Sequence, residues 1–270
     1  MRAILVLASR DDDGHGPVAT GLALARRFGG HLTVHINTPV TRLYAMDGFG
    51  GVYPLADAIA ALRTRAQMLA SALDERLSRE DVRFNIEHSE SEPADALVRA
   101  ARLADLVVLG LDPADATLLG GAQAGIVGDV ALSSRVPVLA VPPWKTPDVG
   151  GRAMVAWSDT AEAAAALRAA VPLLAQAAAV DVVHIEATGD APDATPVLSY
   201  LSRHDIHAQF HAIDRAGVTV EEALERQARS LGADWIAMGA YGHGRMRELL
   251  FGGVTRYLID AARFPLLLAH

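Results

Sequence analysis

The sequence predicts an α/β protein of two similar domains, each with a mostly parallel sheet that helices cover on both faces. Short, continuous apolar runs alternate with helical patterns along the chain, as expected when strands are buried on both faces. The same landmarks also occur twice in the same order. A length of 270 residues leaves room for two domains of ordinary size.

The internal repeat rests on four pairs of segments. They are AILVLAS (3–9) with AMVAWS (153–158), LTVHI (32–36) with DVVHI (181–185), ADLVVLG (104–110) with ADWIAMG (233–239), and VPVLAVP (136–142) with FPLLLAH (264–270). Midway, the first copy carries about twenty additional residues, which we place within 38–84. There GFGGVYP predicts a loop and LADAIAALRTRAQMLASALDERL predicts a helix. The Pro- and Gly-rich segment 142–151 predicts a linker.

The second copy shows the alternation clearly. The predicted strands are MVAW, VDVVHIEA, HAQFHAI, WIAMGA and LLLAH, and the predicted helices are AEAAAALRAAVPLLAQA, TPVLSYLSRH, VEEALERQARSLG and FGGVTRYLIDAAR. Open sheets of this kind bind ligands beyond the carboxyl ends of their strands, where the strand order reverses.

Composition excludes several classes of function. The net charge of −8 disfavours nucleic acids and anionic membranes as partners. The chain has no cysteine, so disulfides, thiolate metal sites and cysteine nucleophiles are excluded. The N-terminal run AILVLA is too short for a signal peptide, and no apolar run approaches the roughly 20 residues of a membrane span. We therefore expect a cytoplasmic protein.

Two glycine clusters follow the strand WIAM. Gly239 and Gly242 lie at the strand's exit, where glycine permits positive φ and close approach of a ligand to the backbone. Gly252 and Gly253 precede the helix VTRYLIDAAR, whose exposed N–H groups favour an anion. Together they would hold a phosphate chain from two sides, with Thr255 adding a hydroxyl. The alternative is a tight turn followed by a simple helix start.

The spacing Gly239-x2-Gly242-x9-Gly252 resembles the nucleotide-binding motif of the universal stress proteins. The likeness includes the VAW-S-D-T start of the second half, its VVHI strand and the FPLLLAH ending, and it extends over both halves. It implies two tandem Rossmann-like domains of the adenine nucleotide alpha hydrolase-like fold, at residues 1–145 and 151–270. Each would be a five-stranded parallel sheet of order 3-2-1-4-5 flanked by helices. Because equivalent strands meet across family dimers, VPVLAVP and FPLLLAH should pair within the chain, and a homodimer is also implied.

The resemblance further implies that the second domain binds ATP, with or without Mg²⁺, or a related adenine nucleotide. The implied contact residues are Ala156, Ser158, Ile185, Met238, Gly239, Gly242, His243, Arg245, Gly252, Gly253, Val254 and Thr255. Two of them depart from the family pattern. Ser158, followed by Asp159, stands where ATP-binding members usually have Asp, and Gly253 stands where they usually have Ser or Thr.

The first half departs much further from the motif. Gly110 is kept, but Pro113 stands near the second glycine position, and proline has no N–H to offer a phosphate. Ala124-Gly125 replaces the later glycine pair, and Val127 replaces the threonine. We interpret residues 1–145 as a degenerate copy that binds no nucleotide.

Other candidate chemistry is weaker. A zinc site at His204, His207 and His211 has no evident fourth ligand, which favours a solvated strand edge. His35 and His184 occupy equivalent positions and suggest buried core histidines. No base and nucleophile can be paired, so we expect no enzyme beyond slow ATP hydrolysis. Two functions stay open: a nucleotide-binding stress-response module, or a structural or interaction protein of the same fold.

Overall fold

The computed structural model describes residues 1–10, 15–46, 52–111, 123–186, 192–240 and 253–270. Contacts divide the chain into two compact units, Met1–Val136 and Pro137–His270. Some of the sequence predictions concern residues outside the described ones, namely Pro113, Gly242, His243, Arg245 and Gly252. Among the described helices, none is long and apolar enough to cross a membrane.

The first unit has its strands in the order β6-β1-β2-β5, all parallel. Its strands are β1 (Ala3–Ala8), β2 (His31–Asn37), β3 (Tyr44–Met46), β4 (Val52–Pro54), β5 (Arg83–Ser89) and β6 (Leu106–Gly110). Its helices are α1 (Pro17–Phe28), α2 (Ala56–Leu77), α3 (Pro93–Ala100) and α4 (Gln123–Ser134), with short 3-10 turns at Val40–Arg42 and Ala101–Leu103.

The predicted insertion is only partly a loop. The 22-residue helix α2 confirms the helical prediction for LADAIAALRTRAQMLASALDERL. The end of GFGGVYP instead forms the short strand β4, which pairs antiparallel with β3. Backbone pairing with β3 satisfies polar groups that a loop would leave to water, and the glycines of GFGGVYP hide this local pairing from a sequence pattern.

In the second unit, five of the six strands lie in the order β10-β9-β8-β11-β12, which is the predicted 3-2-1-4-5 order, and these five run parallel. Its strands are β7 (Val138–Val141), β8 (Arg152–Ala156), β9 (Ala179–Glu186), β10 (Ala208–Asp214), β11 (Trp235–Gly239) and β12 (Leu266–Ala269). Its helices are α5 (Ala161–Leu174), α6 (Thr195–Ser202), α7 (Val220–Leu231) and α8 (Gly253–Ala261). The predicted α/β fold class is confirmed.

Strand β7 pairs antiparallel with β12, with Leu267 opposite Leu139. The sequence predicted that these two apolar strands meet, and the pairing confirms it. β7 falls in the second unit by its contacts. The predicted linker, residues 142–151, contains no helix or strand.

Local sequence explains where the second unit's helices begin and end. Thr160 caps α5 by accepting a hydrogen bond from the Ala163 amide. Thr219 and Glu222 form a reciprocal capping box at the start of α7, which satisfies two orphan N–H groups. α7 ends at Gly232, whose φ of 67° lies in the left-handed region that favours glycine. The caps at Thr160 and Thr219 fix the N-termini of α5 and α7 near the carboxyl edge of the sheet.

Candidate functional site

A cavity of about 250 Å³ lies at the carboxyl ends of β8, β9 and β11. The first turns of α5, α7 and α8 complete its wall. β8 and β11 are neighbours in the sheet. The strands that follow β8 in the sequence, β9 and β10, extend the sheet on one side, and β12, which follows β11, extends it on the other. This is the strand-order reversal where open α/β sheets bind ligands.

All eight predicted contact residues that the structure describes line this cavity. They are Ala156, Ser158, Ile185, Met238, Gly239, Gly253, Val254 and Thr255. They come from four separate stretches of sequence, so the fold brings together residues up to about a hundred positions apart. Whether these residues contact a nucleotide stays a prediction.

Gly239 has a different physical role from the one predicted. Its φ does not lie in the left-handed region. A Cβ placed there would lie 2.7 Å from the backbone carbon of Glu162 and 2.8 Å from the Ala163 nitrogen. Glycine is needed because the first turn of α5 packs directly on the end of β11. The sequence could not show this because the helix lies more than seventy residues earlier.

Gly253 is in the opposite situation. It is exposed at the start of α8, and a Cβ there would meet no atom of the described residues within 4 Å. Thr255, two residues on, is buried. Gly253, Val254 and Thr255 at the start of α8 line the cavity, and a helix N-terminus attracts anions through its dipole and unpaired donors. The open space beside Gly253 is where such an anion would fit.

The polar wall of the cavity is formed by the turn from β8 into α5. Ser158 Oγ lies 3.3 Å from Thr160 Oγ1, and both residues line the cavity together with Glu162. Asp159, which the sequence placed beside Ser158 as an acidic neighbour, is exposed and is not among the lining residues. Glu162 is the carboxylate of the described wall.

The apolar wall includes residues that sequence reasoning missed. Val183 on β9 and Val220 and Leu224 on α7 line the cavity opposite the polar turn. Trp157, at the end of β8, also lines it. The helical prediction for VEEALERQARSLG was correct, but nothing in its pattern indicated that its first turns face the site.

His184 is not the core histidine that its position suggested. It is half-buried, lines the cavity, and its Nδ1 lies 3.0 Å from the Trp157 carbonyl oxygen. His35, its counterpart, is buried and its Nε2 lies 2.7 Å from Ser89 Oγ. Burial lowers the pKa of His35, with a smaller opposing effect from Glu87. The prediction therefore holds for His35 and was wrong for His184.

A buried carboxylate joins α7 to α8 behind the cavity. Glu225 is 4% exposed, accepts a hydrogen bond from Tyr257 Oη at 3.1 Å, and pairs with Arg263 and Arg229. Burial raises the pKa of Glu225, but the hydrogen bonds from Arg263 and Tyr257 and the arginine charges outweigh it, so its pKa is lowered. The carboxylate is therefore ionised at neutral pH and holds α8 in place.

The family model for universal stress proteins matches residues 151–270. Residues 151–270 are a universal stress protein domain. This domain contains the whole cavity, since every residue that lines it lies in that range. No curated protein matches the sequence.

Solved structures resemble the chain over its whole length, and two of them illustrate this. One is a universal stress protein from Archaeoglobus fulgidus DSM 4304, with a TM-score of 0.73 and 16% identity over 99% of this chain and 96% of that one. The other is a functionally unknown protein from Pseudomonas aeruginosa PAO1, with a TM-score of 0.60 and 16% identity over 100% of this chain and 92% of that one. At such low identity the likeness shows the fold alone.

The corresponding edge of the first unit differs from the universal stress protein domain. There a cavity of only about 40 Å³ lies between the ends of β1 and β2 and the helix α2. Leu62, Ala66 and Leu69 of α2 line it. Val127, the counterpart of Thr255, is buried. Residues of α2 thus line the small cavity of the first unit, whereas no described residue of α6 lines the cavity of the second unit.

The histidine cluster has other partners in the structure. His211 Nε2 lies 2.7 Å from Asp181 Oδ1, and the His204 ring contacts the Tyr200 ring in a tilted arrangement, with centroids 4.8 Å apart and planes at 58°. Within the described ranges, no group of three histidine or carboxylate side chains could hold a metal ion.

Proposed function

We propose that this protein is a stress-response module that binds ATP, with or without Mg²⁺, or a related adenine nucleotide in residues 151–270. The observation that carries the proposal is the cavity at the carboxyl ends of β8, β9 and β11. Its described wall contains every predicted contact residue that the structure describes. Binding would change the protein's conformation or partners, and we propose a cytoplasmic binding protein and not an enzyme.

The chemistry of the cavity fits a nucleotide at three points. Val183, Ile185 and Leu224 offer an apolar surface for a base, and Gly253 offers free space at a helix N-terminus for phosphate. The turn that carries Ser158 and Thr160 offers hydroxyl groups that can form hydrogen bonds with a sugar. A volume of about 250 Å³ is near the lower end of the roughly 300–1,000 Å³ typical of ligand sites, which suits a nucleoside with its phosphates directed outward.

The first half would act as a structural partner without a ligand. We propose that residues 1–145 are a degenerate universal stress protein domain, so that the chain forms a pseudo-dimer within itself. The cavity of about 40 Å³ at the ends of β1 and β2 supports this, because residues of α2, including Leu62, Arg65 and Leu69, leave too little room there for a nucleotide. One nucleotide should therefore bind per chain.

Titration calorimetry with Mg-ATP on the full chain tests the proposal. We expect saturable binding with a stoichiometry near one. A ligand that binds the native state must also raise the melting temperature. Absence of heat together with an unchanged melting temperature at millimolar ATP would reject nucleotide binding and leave a structural or interaction role. A stoichiometry near two would show that the first half is not degenerate.

A further inference from the structure

The edge strand β5 is attached to the first unit largely through polar contacts with β2. Within the described ranges it is the last strand on its side of the sheet, and it pairs with β2. None of its residues is fully buried, whereas β1 is buried from Ile4 to Ala8. Side chains of the two strands are joined by hydrogen bonds, from Thr33 Oγ1 to Asn85 Oδ1 at 2.9 Å and from Asn37 Nδ2 to Ser89 Oγ at 2.7 Å. We call this contact between His31–Asn37 and Arg83–Ser89 the β2–β5 seam.

His35 lies in the middle of the β2–β5 seam. It stands opposite Glu87 in the strand register and is 4% exposed. Its Nε2 lies 2.7 Å from Ser89 Oγ. Its Nδ1 is buried and has no hydrogen-bond partner among the described residues, since Glu87 Oε2 lies 3.9 Å away, beyond hydrogen-bond distance. Both ring nitrogens therefore face β5, and separation of β5 from β2 would bring them into water.

Protonation would place a charge with an unpaired donor inside the seam. A neutral imidazole has one N–H group, whereas the imidazolium has two. Burial lowers the pKa of His35 from its ordinary value of 6.5; Glu87 opposes this, and His88 and Arg99 add to the lowering. The Glu87 side chain is 49% exposed, so water screens its attraction for the imidazolium. Acid therefore favours arrangements in which the His35 ring reaches water.

We propose that His35 is an acid-responsive switch that loosens the edge strand β5 from β2 when the imidazole takes up a proton from solvent. The sign follows from the lowered pKa. The neutral ring stabilises the seam fully above pH 6.5, and that stabilisation is lost as the pH falls towards the lower pKa of the closed seam. Glu87 limits the loss, because its carboxylate stabilises the imidazolium while the seam is closed. The switch does not depend on nucleotide binding, since the seam lies within Met1–Val136.

Hydrogen exchange of the backbone amides tests the switch on the full chain without nucleotide. Protection factors, corrected for the intrinsic exchange rate at each pH, are measured between about pH 7.5 and about pH 5. The amides of Arg83–Ser89 report on β5. Those of Leu106–Gly110, in β6 on the far side of β1, report on the rest of the unit.

Three variants separate the contributions to the switch. His35→Gln removes the titrating ring and keeps a polar side chain beside Ser89. Glu87→Gln removes the charge and keeps an acceptor for Asn85 Nδ2, which donates to Glu87 Oε1 at 3.0 Å. Asp81→Asn is the matched control, because Asp81 is an exposed carboxylate shortly before β5 that is not among the charges acting on His35. Melting curves at about pH 7.5 check that each variant folds.

In the wild type and Asp81→Asn, we expect the protection of β5 to fall by up to about tenfold per pH unit below the ordinary histidine value, while β6 keeps its protection. Glu87→Gln should lose more protection than the wild type at about pH 5, and His35→Gln should lose none. Unchanged β5 protection in the wild type overturns the proposal, as does a full loss in His35→Gln or an equal loss in Glu87→Gln. A parallel loss in β6 also overturns it, because the whole unit would then be unfolding. If His35→Gln does not fold, the comparison of Glu87→Gln with Asp81→Asn still decides.

Discussion

Replacing Gly239 with alanine tests why glycine ends strand β11. The added Cβ would lie 2.7 Å from the Glu162 backbone carbon and 2.8 Å from the Ala163 nitrogen, about 0.7 Å or more inside an ordinary contact of roughly 3.5 Å. Both atoms belong to backbone in the first turn of α5, so no flexible side chain can move aside. The turn or the strand end must shift.

Overpacking of this kind costs about 1–3 kcal/mol. For a unit of this size that corresponds to a fall in melting temperature of roughly 3–10 °C. Gly253→Ala is the matched control, because a Cβ at Gly253 meets none of the atoms that the structure describes within 4 Å and alanine favours helix over glycine. It should melt at the wild-type temperature or slightly above it.

Thermal unfolding followed by circular dichroism, without nucleotide, measures both variants. The physical reasoning is refuted if Gly239→Ala melts with the wild type and yet loses Mg-ATP in calorimetry. That result would indicate that glycine is needed at position 239 so that a ligand can approach the backbone closely, as the sequence suggested. Equal destabilisation of both variants would also contradict the packing argument, since only one of the two sites is crowded.

Three further variants test the cavity's surroundings. Gly253→Ser places a hydroxyl in open space at the start of α8 and should tighten Mg-ATP by roughly 3- to 10-fold in calorimetry; weaker binding would show that the space is needed for the ligand. The pKa of Glu225 is lowered in the folded protein from its ordinary value of 4.5. Its ion pairs therefore stabilise the fold at a pH above 4.5, and that stabilisation is lost as the pH falls through the lower pKa of the folded state. Glu225→Gln should therefore cost about 1–3 kcal/mol at pH 7 and progressively less below pH 4 in urea unfolding; a deficit that does not depend on pH would contradict this. Thr219→Ala removes the α7 capping box and should cost about 1 kcal/mol in the same assay, whereas an unchanged midpoint would mean that the cap is dispensable.

The fold could be predicted from the sequence because its signals are local and repeated. Runs such as WIAM and LLLA are buried along their whole length as β11 and β12, and continuous apolar runs of this kind are typical of parallel strands. The resemblance to the universal stress proteins then implied the strand order and the pairing of the two final strands. No long-range information was needed.

The site was predicted only where a local motif marks it. Gly253 and Thr255 belong to a recognisable glycine spacing, and Ser158 ends the first strand of its half. Glu162 and Leu224 carry no such mark, because an acidic residue in a first turn and a leucine in an amphipathic helix are ordinary choices for any helix. What makes them part of the cavity is the packing of α5 and α7 on the sheet, which links residues distant in sequence.

Two features of the first half underlie the proposal that it binds no nucleotide, and they give a last prediction. Pro113 removes a backbone donor from the glycine motif, and α2 places Leu62 and Leu69 at the ends of β1 and β2, leaving about 40 Å³. Because no described residue of α6 lines the cavity of the second unit, that unit has no equivalent obstruction. Pro113→Gly should restore the donor without restoring the space.

Mg-ATP calorimetry on Pro113→Gly should therefore still give a stoichiometry near one. The matched variant combines Pro113→Gly with Leu62→Ala and Leu69→Ala, which opens the apolar side of the small cavity while it leaves the strand ends unchanged. A stoichiometry near two for Pro113→Gly alone would show that the missing N–H, and not the helix α2, keeps nucleotide out of the first half. An affinity gained only in the combined variant would show that α2 keeps nucleotide out of the first half, since the side chains of α2 at the strand ends would then be what separates a binding copy of this fold from a non-binding one.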